Sequence, residues 1–143
     1  MATRSNIAIV NQDKSISSIY CHWDGYPDGV GSTLVRYYND VNKATELLNL
    51  GNMSYLAKKI NPEGFHNFDK PENDVTVFYG RDRGESGVES VITSLEDYHS
   101  VMYSSFIDYL YLFNDGKWEV YDNLNKSGWK SVEDFLSSNL LTT

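Results

Sequence analysis

Reactive and aromatic side chains are concentrated in one segment near the N-terminus, residues 18–31, with the sequence SIYCHWDGYPDGVG. The segment combines a thiol, an imidazole, carboxylates, aromatic rings and glycines in the passage from a predicted strand to a predicted helix. Loops at strand ends are common places for binding groups. The residues of this segment suited to binding a ligand or a partner are Tyr20, His22, Asp24, Tyr26 and Asp28.

A second segment of similar character, YGRDRGE at residues 79–85, follows another predicted strand. Guanidinium groups suit phosphate or carboxylate, so its two arginines could supply charge to a ligand. The candidate binding residues of this segment are Tyr79, Arg81, Asp82, Arg83 and Glu85. We expect the two segments to come together as neighbouring walls of one recognition surface.

Cysteine-based catalysis is weakly indicated. Cys21 and His22 are adjacent in a predicted strand, where successive side chains point to opposite faces. A base for the thiol would therefore have to be His66 or His99. A single cysteine of this kind is usually a buried packing group, so we assign no catalytic residue and expect a binding protein more than an enzyme.

A metal site is a second chemistry that the residues permit. His22 and Asp24 share a predicted strand face, and Asp28 or Asp82 could add oxygen ligands. No His-x-x-x-His, paired-cysteine or calcium-loop spacing is present, and a hydrogen-bonded pair of His22 and Asp24 explains the same residues. We therefore assign no metal and no cofactor, and whether these two residues hold an ion stays open.

Anion binding is the third possibility. The run DGVGST at residues 28–33 would expose backbone N–H groups at a helix start. It lacks the lysine of a phosphate loop and the three glycines of a dinucleotide fingerprint. The alternative is that the glycines serve a tight turn and that Arg81 and Arg83 pair with Asp82, Glu85 or other acids.

Charge and length limit the classes of function. The chain has 143 residues, 20 acidic against 12 basic, and a formal net charge of −8. Such a charge repels phosphate backbones, so direct nucleic-acid binding is not expected, whereas a basic protein surface would be attracted. The length suits one domain spanning residues 1–143. No apolar run resembles a signal peptide or a membrane span, so we expect a soluble cytoplasmic protein without membrane contact.

Two hairpins are predicted. The strands of the first are residues 7–10 and 16–23, and those of the second are residues 107–113 and 117–121. Asn114-Asp115-Gly116 between the latter pair is the strongest turn signal in the chain. In the strand at 16–23, the side chains of Ile19, Cys21 and Trp23 share the face expected to pack on the core.

Helical spacing and capping residues predict the remaining elements. We expect helices beginning near Gly29 with Asp28 as cap, at 41–50, at 53–60, after Ser94 and after Ser131, a loop at 61–73, a strand at 75–79 and a polar loop at 80–87. The resulting order is ββ-ααα-β-α-ββ-α. It predicts one α+β domain with a mainly antiparallel sheet of about five strands and helices on one face.

The segments at 18–31 and 79–85, together with YLFNDGKW at residues 111–118, resemble a family of small proteins from bacteriophages and prophages. The likeness spans most of the chain, and the middle helices carry little of it. It implies a phage context and offers no catalytic residues to transfer.

From these observations we expect a phage-type accessory protein acting by binding in the host bacterial cytoplasm. The leading hypothesis is inhibition of a host protein, such as a defence component, through an acidic aromatic surface. The alternative is capture of a small anionic ligand such as a nucleotide between the turn at 24–32 and the loop at 81–85, and an enzyme using the same pocket is third. A homodimer is left open.

Overall fold

The described residues form an eight-stranded mixed sheet with helices, an α+β architecture. The computed structural model describes residues 3–98, 107–123 and 128–142, with side chains as far as residue 137. The strands are β1 (Ser5–Val10), β2 (Ile16–Cys21), β3 (Met53–Tyr55), β4 (Val77–Phe78), β5 (Val91–Thr93), β6 (Tyr109–Asn114), β7 (Lys117–Asp122) and β8 (Trp129–Ser131). The helices are a π-helical turn (Pro27–Gly31), α1 (Ser32–Tyr37), α2 (Val41–Asn49), α3 (Tyr79–Arg83), α4, which is helical over the described residues 95–98, and α5 (Val132–Thr142).

The strand order is β4-β3-β2-β1-β6-β7-β8, and β5 pairs with β2 beside β3. Both predicted hairpins are confirmed, because β1 pairs antiparallel with β2 and β6 with β7. Five of the seven strand pairings are antiparallel, as expected, but the described sheet has eight strands and not about five, and it is mixed. Strand β1 runs parallel to β6, and β2 runs parallel to β3, so the two hairpins join side by side at the centre of the sheet.

The segment predicted as a third helix at 53–60 instead begins with strand β3. Met53 pairs with Cys21 on one side and with Phe78 on the other, so this strand fills the space between β2 and β4. The later part of the segment is held by Thr76, whose hydroxyl accepts a hydrogen bond from the backbone N–H of Ala57 at 2.9 Å. These tertiary hydrogen bonds outweigh the weak helix preference of a short segment.

Three further elements differ from the sequence prediction. The expected polar loop after residue 79 begins with the helix α3, and the short strands β5 and β8 were not predicted. Asp28 does not cap a helix, because the helical turn already begins at Pro27, a residue well suited to a first helical position. Helix α2 is confirmed within one residue and is capped by the carboxylate of Asp40, which accepts from the N–H of Lys43 at 2.8 Å.

The sheet has an apolar core on each face. On one face, α1, α2 and α5 cover a cluster that includes Ile7, Leu34 and Tyr111. On the other face, Tyr98 of α4 packs with Ala8, Leu110 and their neighbours. The expectation that all helices cover one face is therefore wrong.

The two predicted helix caps at serine are confirmed. The hydroxyls of Ser94 and Ser131 accept hydrogen bonds from the N–H groups of Asp97 and Asp134, each at 3.1 Å. Such caps satisfy a donor that the first helical turn cannot use internally. The predicted continuation of α4 through residue 102 lies outside the described residues.

Candidate functional site

The chain leaves the sheet after β2 through a tightly fixed turn. The N–H of Trp23 still donates to Ser54 O at 2.9 Å, but at the next residue, Asp24, the backbone adopts φ 57°. Asp tolerates this left-handed conformation better than most residues. The change of direction carries the chain toward β1, where the N–H of Gly25 donates to Thr3 O at 2.9 Å.

Gly25 is required at the centre of this turn. A Cβ there would lie 2.7 Å from Thr3 O and 2.8 Å from the Cβ of Ser5, which no side chain tolerates. The buried Tyr111 donates its hydroxyl to Gly25 O at 2.6 Å, and the N–H of Val30 donates to Asp24 O at 2.9 Å. The backbone at Gly25 is therefore held by hydrogen bonds from both sides and by close packing against Thr3 and Ser5.

The outer side of the turn presents aromatic rings and carboxylates to solvent. Trp23 is 43% exposed and Tyr26 41% exposed, while Asp24 and Asp28 are both exposed. The Tyr26 hydroxyl donates to an Asp24 carboxylate oxygen at 3.2 Å. Within the described part of the chain, neither carboxylate has a Lys, Arg or His at ion-pair distance. We call Trp23, Asp24, Tyr26 and Asp28 the turn surface.

The prediction that Trp23 packs in the core is wrong. It assumed that β2 continues through residue 23, whereas the strand ends at Cys21 and the turn follows. Cys21 itself is fully buried, as expected. Burial raises the pKa of the Cys21 thiol to about 12, so no thiolate is available near neutral pH and the residue behaves as a packing group.

Tyr20 and His22 extend the aromatic surface toward β3. The Tyr20 hydroxyl and His22 Nδ1 are 2.7 Å apart, and the imidazole meets the Trp23 ring edge-on with centroids 4.8 Å apart. Burial raises the pKa of Tyr20, and the nearby Tyr79 hydroxyl adds to that shift while Arg4 opposes it. Tyr20 and Tyr79 share a contact: the N–H of Tyr20 donates to the side-chain oxygen of Asn52 at 2.8 Å, and the N–H of Tyr79 donates to the carbonyl of Asn52 at 3.1 Å.

Asp82 has a structural environment, in contrast to the exposed acids of the turn surface. Its side chain is 4% exposed and accepts from the N–H of Phe78 at 2.8 Å and from Arg81 Nε at 2.9 Å. His66 Nε2 lies 3.1 Å from the same carboxylate. Burial alone raises the pKa of Asp82, but the hydrogen bonds from Arg81 and Phe78, with the nearby His66, outweigh it and leave the pKa below its ordinary value.

Arg81 connects α3 to two stretches of irregular backbone. Besides its contact with Asp82, its Nη1 donates to Ile60 O at 2.6 Å and its Nη2 donates to Thr76 O at 3.0 Å. These carbonyls would otherwise lack partners in the long loop between β3 and β4. The guanidinium is thus occupied by internal acceptors.

His66 is a structural residue that the sequence did not identify for this role. Its Nδ1 accepts from the N–H of Glu72 at 2.9 Å, and its Nε2 lies 3.1 Å from an Asp82 carboxylate oxygen without the alignment of a hydrogen bond. The His66 side chain is only 1% exposed, so neither ring nitrogen is accessible to a substrate. In the sequence, His66 is distinguished only by its place in a loop rich in aromatic, proline and glycine residues. No local sequence pattern indicates that it lies next to Asp82 in the fold. His99 lies outside the described residues.

Arg83 forms a small platform at the surface end of α3. It pairs with Glu85, and its guanidinium lies 4.2 Å from the ring centroid of Phe68 and 4.9 Å from that of Tyr79. The alternative given for the two arginines, pairing with neighbouring acids, is therefore what the structure contains.

The two candidate segments do not enclose a common pocket. Residues 25–31 lie against β1 and β6, through Thr3 and Tyr111, whereas α3 follows β4. Strands β1 and β4 are separated by β2 and β3, which at about 4.8 Å per strand is roughly 14 Å. The N–H groups of Gly29 and Val30, which the anion hypothesis requires, already donate to Tyr26 O and Asp24 O.

No group of three or more His, Cys, Asp or Glu side chains able to hold a metal occurs among residues 3–98, 107–123 and 128–137. In the same part of the chain, no helix combines the length and apolar character that crossing a membrane requires. Comparisons with family models, with curated proteins and with solved structures find no match to this chain.

Proposed function

We propose that this protein acts by binding a basic surface of a host protein through the turn surface. The observation that supports the proposal is the coincidence of two exposed aromatic rings, Trp23 and Tyr26, with two carboxylates, Asp24 and Asp28, that have no cationic partner in the described part of the chain. Tryptophan and tyrosine are the commonest anchors of protein interfaces.

Charge favours a basic partner. A cationic side chain approaching Asp24 or Asp28 gains an ion pair without breaking an internal one, and a guanidinium can also stack on Trp23. The net charge of −8 adds long-range attraction that accelerates the encounter. A basic protein surface is therefore the partner whose chemistry best matches this surface.

Rigidity of the turn supports a binding role as well. The hydrogen bonds at Gly25 and the burial of Pro27 hold the backbone in place before any partner arrives. A surface that is already ordered loses little conformational entropy on binding. Tight turns also form for purely structural reasons, so the binding proposal rests on the exposed rings of Trp23 and Tyr26 and not on the turn alone.

The phage context and the inhibition of a defence component rest on the sequence resemblance alone. Inhibition would follow if the basic patch that binds the turn surface were the partner's own working surface, for example one that normally holds nucleic acid. The bacterial cytoplasm is the corresponding location.

The test is affinity purification from a bacterial lysate with three forms of the protein. We expect the wild type to retain a basic partner at a defined stoichiometry, the Trp23→Ala/Tyr26→Ala double variant to lose it, and the Tyr37→Ala variant to keep it. Tyr37 is a matched control because it is 40% exposed on a different element. Equal recovery by all three forms would contradict the proposal, as would a small molecule retained in native mass spectra in place of a protein.

A further inference from the structure

Strand β5 is exposed on both of its faces. It consists of Val91–Thr93 and pairs antiparallel with residues 16–18 of β2. Adjacent strand residues point to opposite faces of a sheet, and here both Val91 and Ile92 are exposed, at 57% and 70%. Each face of β5 therefore carries an exposed apolar side chain, although the hydroxyl of Thr93, at the end of the strand, is buried.

The outer edge of β5 is also open. Among the described residues, β2 is its one strand partner. The two ends of the main strand order are better protected, since β4 has two buried residues and β8 carries the charged Lys130. An edge strand with apolar side chains and no charge of its own is a template for pairing with another chain.

A shallow polar groove lies beside this strand on the face to which Ile92 points. It is lined by Asn11, Gln12, Asp13, Ser15, Ser17 and Ile92. The Asp13 carboxylate is oriented by the N–H and hydroxyl of Ser15, at 3.0 and 2.6 Å, which lower the pKa of Asp13 and keep it charged. A side chain from an added strand could enter the groove and meet this carboxylate.

The charges around β5 indicate which kind of chain would pair with it. Glu89, Glu96 and Asp97 are exposed, and residues 84–98 contain no lysine or arginine. Pairing of β5 with β5 of a second copy would bring these acids together in both chains, and like charges at close range are destabilising. A basic segment gains attraction at the same positions.

We propose that β5 accepts an extended, basic segment of a partner protein as an additional antiparallel or parallel strand. Backbone hydrogen bonds to residues 91–93 supply the common affinity of strand addition, and alternate side chains supply specificity. A lysine or arginine of the segment faces Asp13 in the groove beside Ile92, and apolar residues on the opposite side of the segment pack on Val91. This site is separate from the turn surface and does not depend on it.

The test uses amide NMR spectra of the whole protein titrated with acetylated peptides of alternating lysine and valine, or alternating glutamate and valine. We expect the lysine peptide to shift the amides of residues 91–93 and the glutamate peptide to leave them unchanged. Replacing the central residue of the lysine peptide by proline removes a backbone donor and should weaken binding about tenfold.

Two variants locate the site. Ile92→Lys changes a largely exposed side chain, so the fold is retained, and it should abolish the shifts by placing a like charge on the edge. Trp23→Ala should leave them unchanged, which separates this site from the turn surface. The proposal is overturned if the glutamate peptide shifts the same amides, if the lysine peptide acts elsewhere, or if the free protein dimerises through residues 91–93.

Discussion

The turn surface and the α3 region contain similar residues but use them in opposite ways. In the α3 region, Arg81 donates to two backbone carbonyls and Asp82 accepts from a backbone N–H, so both side chains satisfy the main chain. In the turn, the N–H of Gly25 is paired with the Thr3 carbonyl and the Gly25 carbonyl with the buried Tyr111 hydroxyl. The charged and aromatic side chains of the turn are therefore not needed by the backbone and are exposed to solvent. A polar side chain that must hydrogen-bond a buried backbone N–H or C=O group is not available to bind a partner, and the side chains of the turn have no such task.

The largest expected effect is on Asp82. The Asp82→Ala variant should lower the free energy of unfolding by about 3 kcal/mol, because it leaves the N–H of Phe78 and the guanidinium of Arg81 without their buried acceptor. Urea denaturation measures the change. Asp24→Asn is the comparison from the turn and should stay within about 0.5 kcal/mol of wild type. Equal losses in both variants would remove the distinction between the two regions.

A substitution at Tyr111 tests whether its buried hydroxyl stabilises the turn at Gly25. Tyr111→Phe removes the hydroxyl that donates to Gly25 O and leaves that carbonyl unpaired, so we expect a loss of about 1–2 kcal/mol. Tyr37→Phe, at an exposed tyrosine, is the control and should have little effect. If Tyr111→Phe were as stable as wild type, the turn would be held by its own residues alone.

The acid dependence of stability should include a contribution from Asp82. Its pKa is lowered on folding, so the unfolded chain binds a proton more readily than the folded one. The stabilisation is complete above the ordinary carboxyl pKa and is lost as the pH falls through the folded value. Unfolding free energies measured from about pH 5 to about pH 2 should fall less steeply in Asp82→Asn than in wild type. Parallel curves would contradict the assigned ion pair.

Arg83 has the smallest expected effect. Its pair with Glu85 is partly exposed, and its stacking on Phe68 is at the surface, so Arg83→Ala should cost about 0.5 kcal/mol or less. Arg81→Ala should cost clearly more, since Arg81 is bound to two backbone carbonyls. The order of the two losses in the same denaturation experiment checks which arginine is structural.

Local chemistry was enough to predict the hairpins, helix α2 and the serine caps. The turn at 114–116, the cap of α4 at Ser94 and the cap of α5 at Ser131 each depend on a few neighbouring residues. Strand β3 could not be predicted in this way, because its partners Cys21 and Phe78 are distant in the sequence. The apolar residues at 53–60 have helical spacing, but the strand pairings with Cys21 and Phe78 determine the conformation of Met53–Tyr55.

The sequence predicted which residues gather in the turn, but not how their side chains are arranged in the fold. The sequence correctly identified the turn as a dense group of polar and aromatic residues, but the side on which Trp23 lies depended on β2 ending two residues early. The contact between His66 and Asp82 could not be predicted, because it depends on the path of the whole loop at 61–73. Such contacts follow from tertiary structure, which the spacing of residues does not encode.

The most direct test of the account is site-specific photo-crosslinking in bacterial cells, with a photoreactive phenylalanine derivative in place of Trp23 or, as control, Tyr37. These side chains are almost equally exposed, at 43% and 40%, so chance collisions should label both alike. We expect one discrete protein adduct at Trp23, weakened by Asp24→Asn/Asp28→Asn, and none at Tyr37. Equal adducts at both positions, or an adduct at Trp23 that the double substitution leaves unchanged, would contradict it.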